Sequence, residues 1–292
     1  MRLTETLRWD QLHRFRLIEI VLLWEGRLTT NHLSRAFNIG RQQASRDINS
    51  YIKDHAPENL IYDRHLKGYI PTQAYNPIFT KGSSEEYLQL LHSAYSPESG
   101  MQLLTNGIGF THTLSIPERF ISPTVIRPLV LACNLKRQVE INYASLKSQQ
   151  FKSRKISPHT LIHSGYRWHI RAYCHHRERF SDFVLSRIEE GCLLLDKSYE
   201  PASNDKAWQQ KVEIKLSADP RLSAFEKTII EKDYGMNNGN LIVSTRAALI
   251  QYYLQLLRVD SANDERSAKE QQIVVANLDE LAPYLFNVKN GG

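Results

Sequence analysis

The sequence has few cysteines and no long apolar run. Three cysteines occur in 292 residues, at positions 133, 174 and 192, and this number and spacing give neither a disulfide framework nor a Cys-x-x-Cys metal pair. The most apolar stretch, Leu17 to Trp24, is interrupted by Glu19 and is far shorter than the roughly 18 residues of a membrane span. The N-terminal MRLTETLRWD lacks the apolar core of a secretory signal. We therefore expect a cytoplasmic protein that does not enter a membrane.

Signatures of catalysis are also missing. The sequence contains no Gly-x-Ser-x-Gly elbow, no His-Glu-x-x-His pair and no phosphate-binding Gly-x₄-Gly-Lys-Ser/Thr loop. Cys174, His175 and His176 lie near Glu178, but adjacent side chains on a strand point to opposite faces and cannot share a metal ion. We expect no enzyme, no cofactor and no metal site. An enzyme that processes nucleic acid or nucleotides stays open as the alternative.

Positive charge is concentrated in the middle of the chain. The net charge is +6 overall. Residues 136–187 carry eleven Lys and Arg against three Asp and Glu, whereas residues 196–292 carry twelve against fourteen. The basic stretch also holds five of the histidines. Such an excess favours a polyanionic partner, and its position indicates the middle of the chain as the place to bind one.

The first seventy residues have the pattern of a winged helix-turn-helix. Apolar residues at helical spacing predict a first helix over residues 10–24. Thr29 or Thr30 can cap a short second helix, residues 38–40 supply a tight turn, and a third helix is expected over residues 41–53. The following segment, LIYDRHLKGYIPT, predicts two short strands that form a wing.

The outer face of the third helix carries side chains suited to reading bases. Arg can bond both O6 and N7 of guanine, and Gln can bond N6 and N7 of adenine. Asp47 is the one acid expected on that face, and the wing has a basic tip that could reach a groove or a phosphate. A winged helix that binds only proteins is the alternative. The residues expected to contact double-stranded DNA are Thr30, Arg41, Gln42, Gln43, Ser45, Arg46, Arg64 and Lys67.

From Gln138 the apolar period changes to two. The segments QVEINYASL, KISPHTLIHSGYRWHIRAYC and ERFSDFVLSRIEEGCLLL are rich in strand formers and are separated by turns, which predicts a small, mostly antiparallel sheet or barrel. Alternation puts His169 and Arg171 on one polar face, whereas Trp168 falls on the apolar face and is expected in the core. From Lys211 onward strands and helices alternate, which predicts a small α/β module. The near-neutral charge of that module argues against DNA contact there.

The strings INYASL, ISPHTLIHSGYRWHIRAYC and RFSDFVLSRI resemble the WYL-domain family, in particular the winged-helix WYL regulators of bacterial phage-defence systems such as BREX and CBASS. The Trp-Tyr-Leu tripeptide of the family stands here as Trp168-His169-Ile170. The resemblance covers nearly the whole chain. It implies a multidomain α+β fold with a winged helix-turn-helix (1–75), a helical connector (76–135), a central Sm-like β-barrel WYL domain (136–200) and a small α/β dimerisation domain (201–292).

The resemblance also implies a function. The protein would be a homodimeric repressor that binds a palindromic operator and is controlled by a nucleotide or nucleic-acid-derived ligand in the WYL domain. Repression follows from the resemblance alone, so activation, a monomer and a pure protein-binding adaptor stay open. A tyrosine would stack on or bond a base or sugar, Ser145 and His159 would donate to phosphate, and arginines would neutralise its charge. The expected ligand-binding residues are Tyr143, Ser145, His159, His169, Arg171, Arg179 and Arg187.

Overall fold

The computed structural model describes residues 7–94, 114, 116, 117, 119–146, 150–195, 199–259 and 266–285. The chain divides into two compact units, Met1–Ile116 and Pro117–Gly292, and each is considered by itself. Within the described ranges, no helix combines the length and the apolarity that a membrane crossing needs. Within the predicted connector (76–135), residues 95–113, 115 and 118 lie outside the described residues. The predicted domain limits at 75, 135 and 200 remain predictions.

The first unit is a winged helix, as predicted. Three helices, α1, α2 and α3, pack around a core that includes the fully buried Phe15, Ile18, Leu33, Ile48 and Tyr51. A two-stranded antiparallel hairpin, β1 with β2, forms the wing. The elements are α1 (Trp9–Glu25), α2 (Thr30–Phe37), α3 (Arg41–Ser50), β1 (Leu60–Asp63), β2 (Gly68–Pro71) and α4 (Ser84–Ala94). Helix α3 ends earlier than the predicted residue 53, because the chain widens into a π turn over Tyr51–His55.

Backbone contacts hold the wing against the helices. The backbone groups of Leu28 and Tyr69 exchange two hydrogen bonds of 2.8 Å. Gly68 makes this approach possible, since a Cβ atom there would lie 2.9 Å from the carbonyl oxygen of Leu28. The wing is therefore joined to the segment between α1 and α2, which fixes the hairpin beside the helix-turn-helix.

A buried carboxylate organises the centre of the first unit. Glu19 on α1 is fully buried and accepts a hydrogen bond of 2.8 Å from the Tyr51 hydroxyl. It also accepts three bonds of 2.6 to 2.8 Å from the backbone N–H groups of Ile78, Phe79 and Thr80. Four donors satisfy the charge, which would otherwise cost several kcal/mol to bury. The carboxylate thereby ties the segment after the wing to α1 and to the end of α3.

A five-stranded antiparallel sheet forms the first part of the second unit, with strand order β6-β5-β4-β3-β7. Helix α5 covers it and contributes Val125 and Leu129 to a core shared with Ile141, Ile156 and Ile170. The elements are α5 (Pro123–Leu135), β3 (Val139–Tyr143), β4 (Lys152–His163), β5 (Trp168–Cys174), β6 (Arg179–Val184) and β7 (Leu193–Leu194).

The sheet is rolled. In a flat sheet, β6 and the position beyond β3 would lie about 19 Å apart, at about 4.8 Å per strand. Val184, the last residue of β6, pairs with His169, yet Ile188, four residues later, bridges to Tyr143 of β3. Four residues span at most about 14 Å, so the sheet must curl. No described ladder joins β6 to β7, and the expected closed barrel therefore remains a prediction.

The prediction that Trp168 lies in the core is wrong. The residue is 47% exposed, and its ring lies 4.8 Å from that of His163. These two residues form the last pair at the turn between β4 and β5, where the sheet projects beyond its core. Alternation along the strand assigned the correct face but could not show where the core ends.

The second part of this unit is the predicted α/β module. Its sheet has the order β10-β8-β9, with neighbouring strands antiparallel. Ile214 and Leu216 of β8 pack with Ile230, Ile250 and Leu254 of the helices. The elements are α6 (Lys206–Gln209), β8 (Lys211–Ala218), α7 (Ala224–Asp233), β9 (Asn240–Arg246), α8 (Ile250–Leu256), α9 (Ala268–Gln271), β10 (Ile273–Val275) and α10 (Leu278–Leu281). The short helix α9 was not predicted.

Candidate functional sites

The outer face of α3 and the wing tip carry the side chains predicted to bind DNA. Arg41, Gln42 and Arg46 are exposed, whereas Gln43 and Ser45 are half-buried. Thr30 is the half-buried first residue of α2, and Arg64 and Lys67 are exposed in the hairpin turn. The N-terminal turn of a recognition helix is the part that meets base edges, and residues 41–46 form the corresponding turns of α3.

The prediction that Asp47 lies on the outer face of α3 is wrong. The residue is 3% exposed and pairs with the buried Arg14 of α1, with 2.8 Å between Asp47 Oδ2 and Arg14 Nε. Arg14 in turn reaches Asp10, with 3.1 Å between Nη1 and Oδ2. The position follows Ala44 by three residues and so shares its inward face. Its charge is tolerated there because a cation from another helix pairs with it.

The wing tip is a compact basic turn. Asp63 Oδ1 accepts hydrogen bonds of 2.8 Å from the backbone N–H groups of His65 and Leu66, and Lys67 adopts a left-handed backbone with φ of 50°. Arg27, just after α1, donates to the Lys67 carbonyl at 3.4 Å. Arg27 and His65 were not predicted. They add donors beside the wing, and their signal in the sequence was only their nearness to predicted residues.

A cavity of about 850 Å³ lies in the second unit. Strands β3 to β6 form one wall and the α/β module forms the other, through Ala248, Tyr252, Gln255 and Tyr284. Of the predicted ligand-binding residues, all except His159 line it. His159 instead packs its ring 5.5 Å from that of Trp208.

Six arginines line this cavity. Three of them were not predicted and add to the positive charge of the rolled sheet: Arg154, Arg167 and Arg177. They belong to the same basic stretch as the predicted ones, so local charge was the signal that could have found them. Arg167 lies over the ring of Tyr166, 4.3 Å from its centroid. Among the described residues, Arg171 is the cavity arginine that pairs with carboxylates within 4.0 Å, and the other five form no such pair.

Arg171 lies between two aspartates. Its Nε and Nη2 atoms donate to the two carboxylate oxygens of Asp205 at 2.5 and 3.0 Å, and its Nη1 donates to Asp182 at 3.0 Å. His159 Nε2 lies 3.3 Å from the Asp205 carboxylate. Burial alone would raise the pKa of Asp205, but the bonds from His159 and Arg171 outweigh it and lower that pKa to about 2. Arg171 therefore serves the structure first, since its charge is already compensated.

Tyr252 connects the two walls of the cavity. Its hydroxyl on α8 donates to Asp182 Oδ2 at 2.9 Å and lies 3.5 Å from His169 Nδ1. Burial lowers the pKa of the His169 imidazole to about 4, against the opposing charge of Asp182. His169 is consequently neutral at neutral pH and adds no positive charge to the cavity. Among the described residues, no three His, Cys, Asp or Glu side chains are grouped to hold a metal ion.

Three known protein families match successive segments of the chain. Residues 10–93 match the BrxR transcriptional regulator winged helix-turn-helix domain, residues 124–192 match the WYL domain, and residues 211–281 match the BrxR transcriptional regulator C-terminal dimerization domain. The DNA-binding transcriptional repressor CapW of Escherichia coli (strain KTE188) is 32% identical over 94% of this chain and 91% of its own length. The chain belongs to the CapW family.

Other CapW proteins are also similar to this chain over most of their length. The repressor from Pseudomonas aeruginosa is 32% identical over 94% of this chain and 91% of its own length. That from Stenotrophomonas maltophilia is 27% identical over 97% and 95%. Among solved structures, proteasome accessory factor B/C of Arthrobacter aurescens gives a TM-score of 0.27 at 15% identity, covering 93% of this chain and 46% of its own.

The low pKa of Asp205 predicts that the free energy of unfolding falls as the pH is lowered. A carboxylate with a lowered pKa stabilises the fold fully above its unfolded value of 3.8, and the contribution is lost as the pH falls toward 2. We expect the difference in unfolding free energy between the wild type and Asp205→Asn to shrink by about 1 kcal/mol from about pH 6 to about pH 3, after allowance for solvent screening. Urea unfolding followed by circular dichroism measures it. The exposed Asp233→Asn is the control, and a gap that does not change with pH would contradict the assignment.

Proposed function

We propose that the protein is a sequence-specific DNA-binding repressor that inserts α3 into the major groove. The observation that carries the proposal is the composition of the first turns of α3, where Arg41, Gln42 and Arg46 are exposed and the acid Asp47 is turned inward. Membership of the CapW family, whose members are named DNA-binding transcriptional repressors, supports it. The protein would act in the cytoplasm. The genes it regulates would form a phage-defence operon, as the family resemblance implies.

The operator would be palindromic because the protein would act as a homodimer. The match of residues 211–281 to a dimerization domain supports this assembly. On α7 of that region, Phe225 and Ile229 are 75% and 50% exposed, and at i and i+4 they share one helix face. We propose that this face packs against a second copy of the chain. A two-fold dimer would place two α3 helices in successive major grooves.

The cavity would bind a ligand that controls DNA binding. Five cavity arginines have no carboxylate partner among the residues that the structure describes, which favours an anion with several charges, and Tyr143 and Tyr166 offer rings for stacking a base. A nucleotide or a nucleic-acid fragment has both features. Because the cavity has one wall in the WYL sheet and one in the α/β module, a ligand could bind two arrangements of these walls with different affinity, as regulation requires. The chain would act without catalysis, cofactor or metal.

The DNA-binding face predicts a salt-dependent and sequence-specific complex. We expect Arg41→Ala and Arg46→Ala each to weaken binding to the upstream DNA of the gene by roughly 5- to 100-fold, since each removes a base or phosphate contact. Gel shifts across a salt series measure this effect. The exposed Lys81→Ala removes a charge elsewhere in the same unit and serves as the control. Equal affinity of the wild type for a scrambled duplex would exclude the proposed function.

The exposed face of α7 predicts the oligomeric state. We expect the double variant Phe225→Glu with Ile229→Glu to dissociate into monomers at micromolar concentration, because two buried carboxylates without partners oppose the interface. Analytical ultracentrifugation measures the mass. Ile242→Glu, an exposed apolar position on the sheet, should leave the dimer unchanged. A double variant that stays dimeric would place the interface elsewhere.

The cavity predicts an anionic ligand. We expect a short 5′-phosphorylated oligonucleotide to bind the protein, and Arg179→Ala with Arg187→Ala to weaken this binding at least about tenfold, the effect of losing about 1.4 kcal/mol. Fluorescence anisotropy measures the affinity, and Lys211→Ala with Lys232→Ala, which also removes two exposed charges, controls for total charge. If the wild type instead hydrolyses the oligonucleotide with Mg²⁺ and the double variant does not, the cavity is an active site rather than a sensor.

A further inference from the structure

Gln43, in the first turn of α3, is bonded to the residue one turn further along the same helix. Its side-chain Nε2 donates to Asp47 Oδ1 at 3.0 Å. The other carboxylate oxygen, Oδ2, lies 2.8 Å from Arg14 Nε on α1. One oxygen of Asp47 is therefore hydrogen-bonded to Gln43, at the edge of the outer face of α3, and the other faces the Arg14 guanidinium on α1 as an ion pair.

The bond decides which way the Gln43 amide faces. An ionised aspartate only accepts hydrogen bonds, so the nitrogen of the amide must point to Asp47. The carbonyl Oε1 and the second N–H of the same nitrogen are then left for a partner outside the helix. An unrestrained glutamine could turn over and offer both N–H groups, and Asp47 prevents this.

Resting on the proposed DNA-binding function, we propose that Asp47 is a positioning residue that restricts Gln43 to bases with an amine in the major groove. Oε1 would accept from adenine N6 while the free N–H donates to N7, and cytosine N4 could supply the amine alone. Guanine offers two acceptors there and thymine offers one acceptor and a methyl group, so neither gives Oε1 a donor. Helix α1 thus shapes base preference without touching DNA.

Three charges maintain this arrangement. Asp47 and Arg14 are 3% and 8% exposed, so solvent screens their pair only weakly. Asp10 holds the far side of the guanidinium at 3.1 Å. Among the described residues, the charged side chain within 4.0 Å of the Asp47 carboxylate is Arg14 on α1, and Gln43 is the neutral partner that faces outward. Removing the negative charge at position 47 frees the amide without removing Gln43.

The test is the base preference of variants on a library of operators randomised one position at a time. For the wild type we expect one position per half-site that prefers adenine or cytosine and loses this preference, to within about threefold among the four bases, in Gln43→Ala. Asp47→Asn should lose most of the preference at that same position and keep the preferences elsewhere. Asp54→Asn, an exposed aspartate just after α3, removes the same charge and should leave every preference unchanged.

The outcomes separate this inference from the proposed function. If the wild type shows no specific binding, the proposed function fails. If it binds specifically but Asp47→Asn keeps the full preference at the Gln43 position, the positioning role is wrong. Gln43→Ala leaves the Arg14–Asp47 pair intact and stays informative if Asp47→Asn does not fold. A lost preference for guanine or thymine in Gln43→Ala overturns the proposal by itself.

Discussion

Arg171 is a buried cation whose two partners come from different parts of the second unit. Asp182 lies on β6, and Asp205 precedes α6 at the entrance to the α/β module. A buried charge that loses its partner costs about 3–5 kcal/mol, so an arrangement of the walls that separates Arg171 from its aspartates is disfavoured by about that amount. Tyr252 extends the constraint to α8 through its bond to Asp182. The two walls of the cavity are therefore held by the same charge.

The first unit also contains a buried ion pair, but here the buried charge on the functional element is an anion and its partner is a cation. Asp47 is the charge that α3 buries, and Arg14 is the partner that α1 supplies. The charge of Asp47 lies on the inner face of α3, whereas Arg171 lies on the face of β5 that lines the cavity. On the outer face of α3, Arg41 and Arg46 are exposed and form no ion pair with any residue that the structure describes. The arginines proposed to bind DNA are thus different residues from the ones that hold α3 in place.

Local pattern accounts for much of what could be predicted from the sequence. Helical spacing located α1 to α3, and alternation placed His169 and Arg171 on the polar face of β5. Contacts between residues far apart in the sequence could not be predicted from local pattern. Asp205 lies 34 residues from Arg171, and nothing in the period of either segment indicates their pairing. The same limit misplaced Asp47, because a charge on the inner stripe of a helix looks anomalous until its partner on another helix is known.

The carboxylate of Glu19 has a consequence for how this DNA-binding region can be separated or exchanged. A fragment that stops at residue 75 contains the three helices and the wing but lacks the backbone N–H groups of Ile78, Phe79 and Thr80, which supply three of its four bonds. Such a fragment would carry a buried anion with one remaining donor, the Tyr51 hydroxyl. The smallest fragment that keeps the fold of the DNA-binding region must therefore include Thr80. A fusion of this region to another sensor domain must contain residues 78–80 as well.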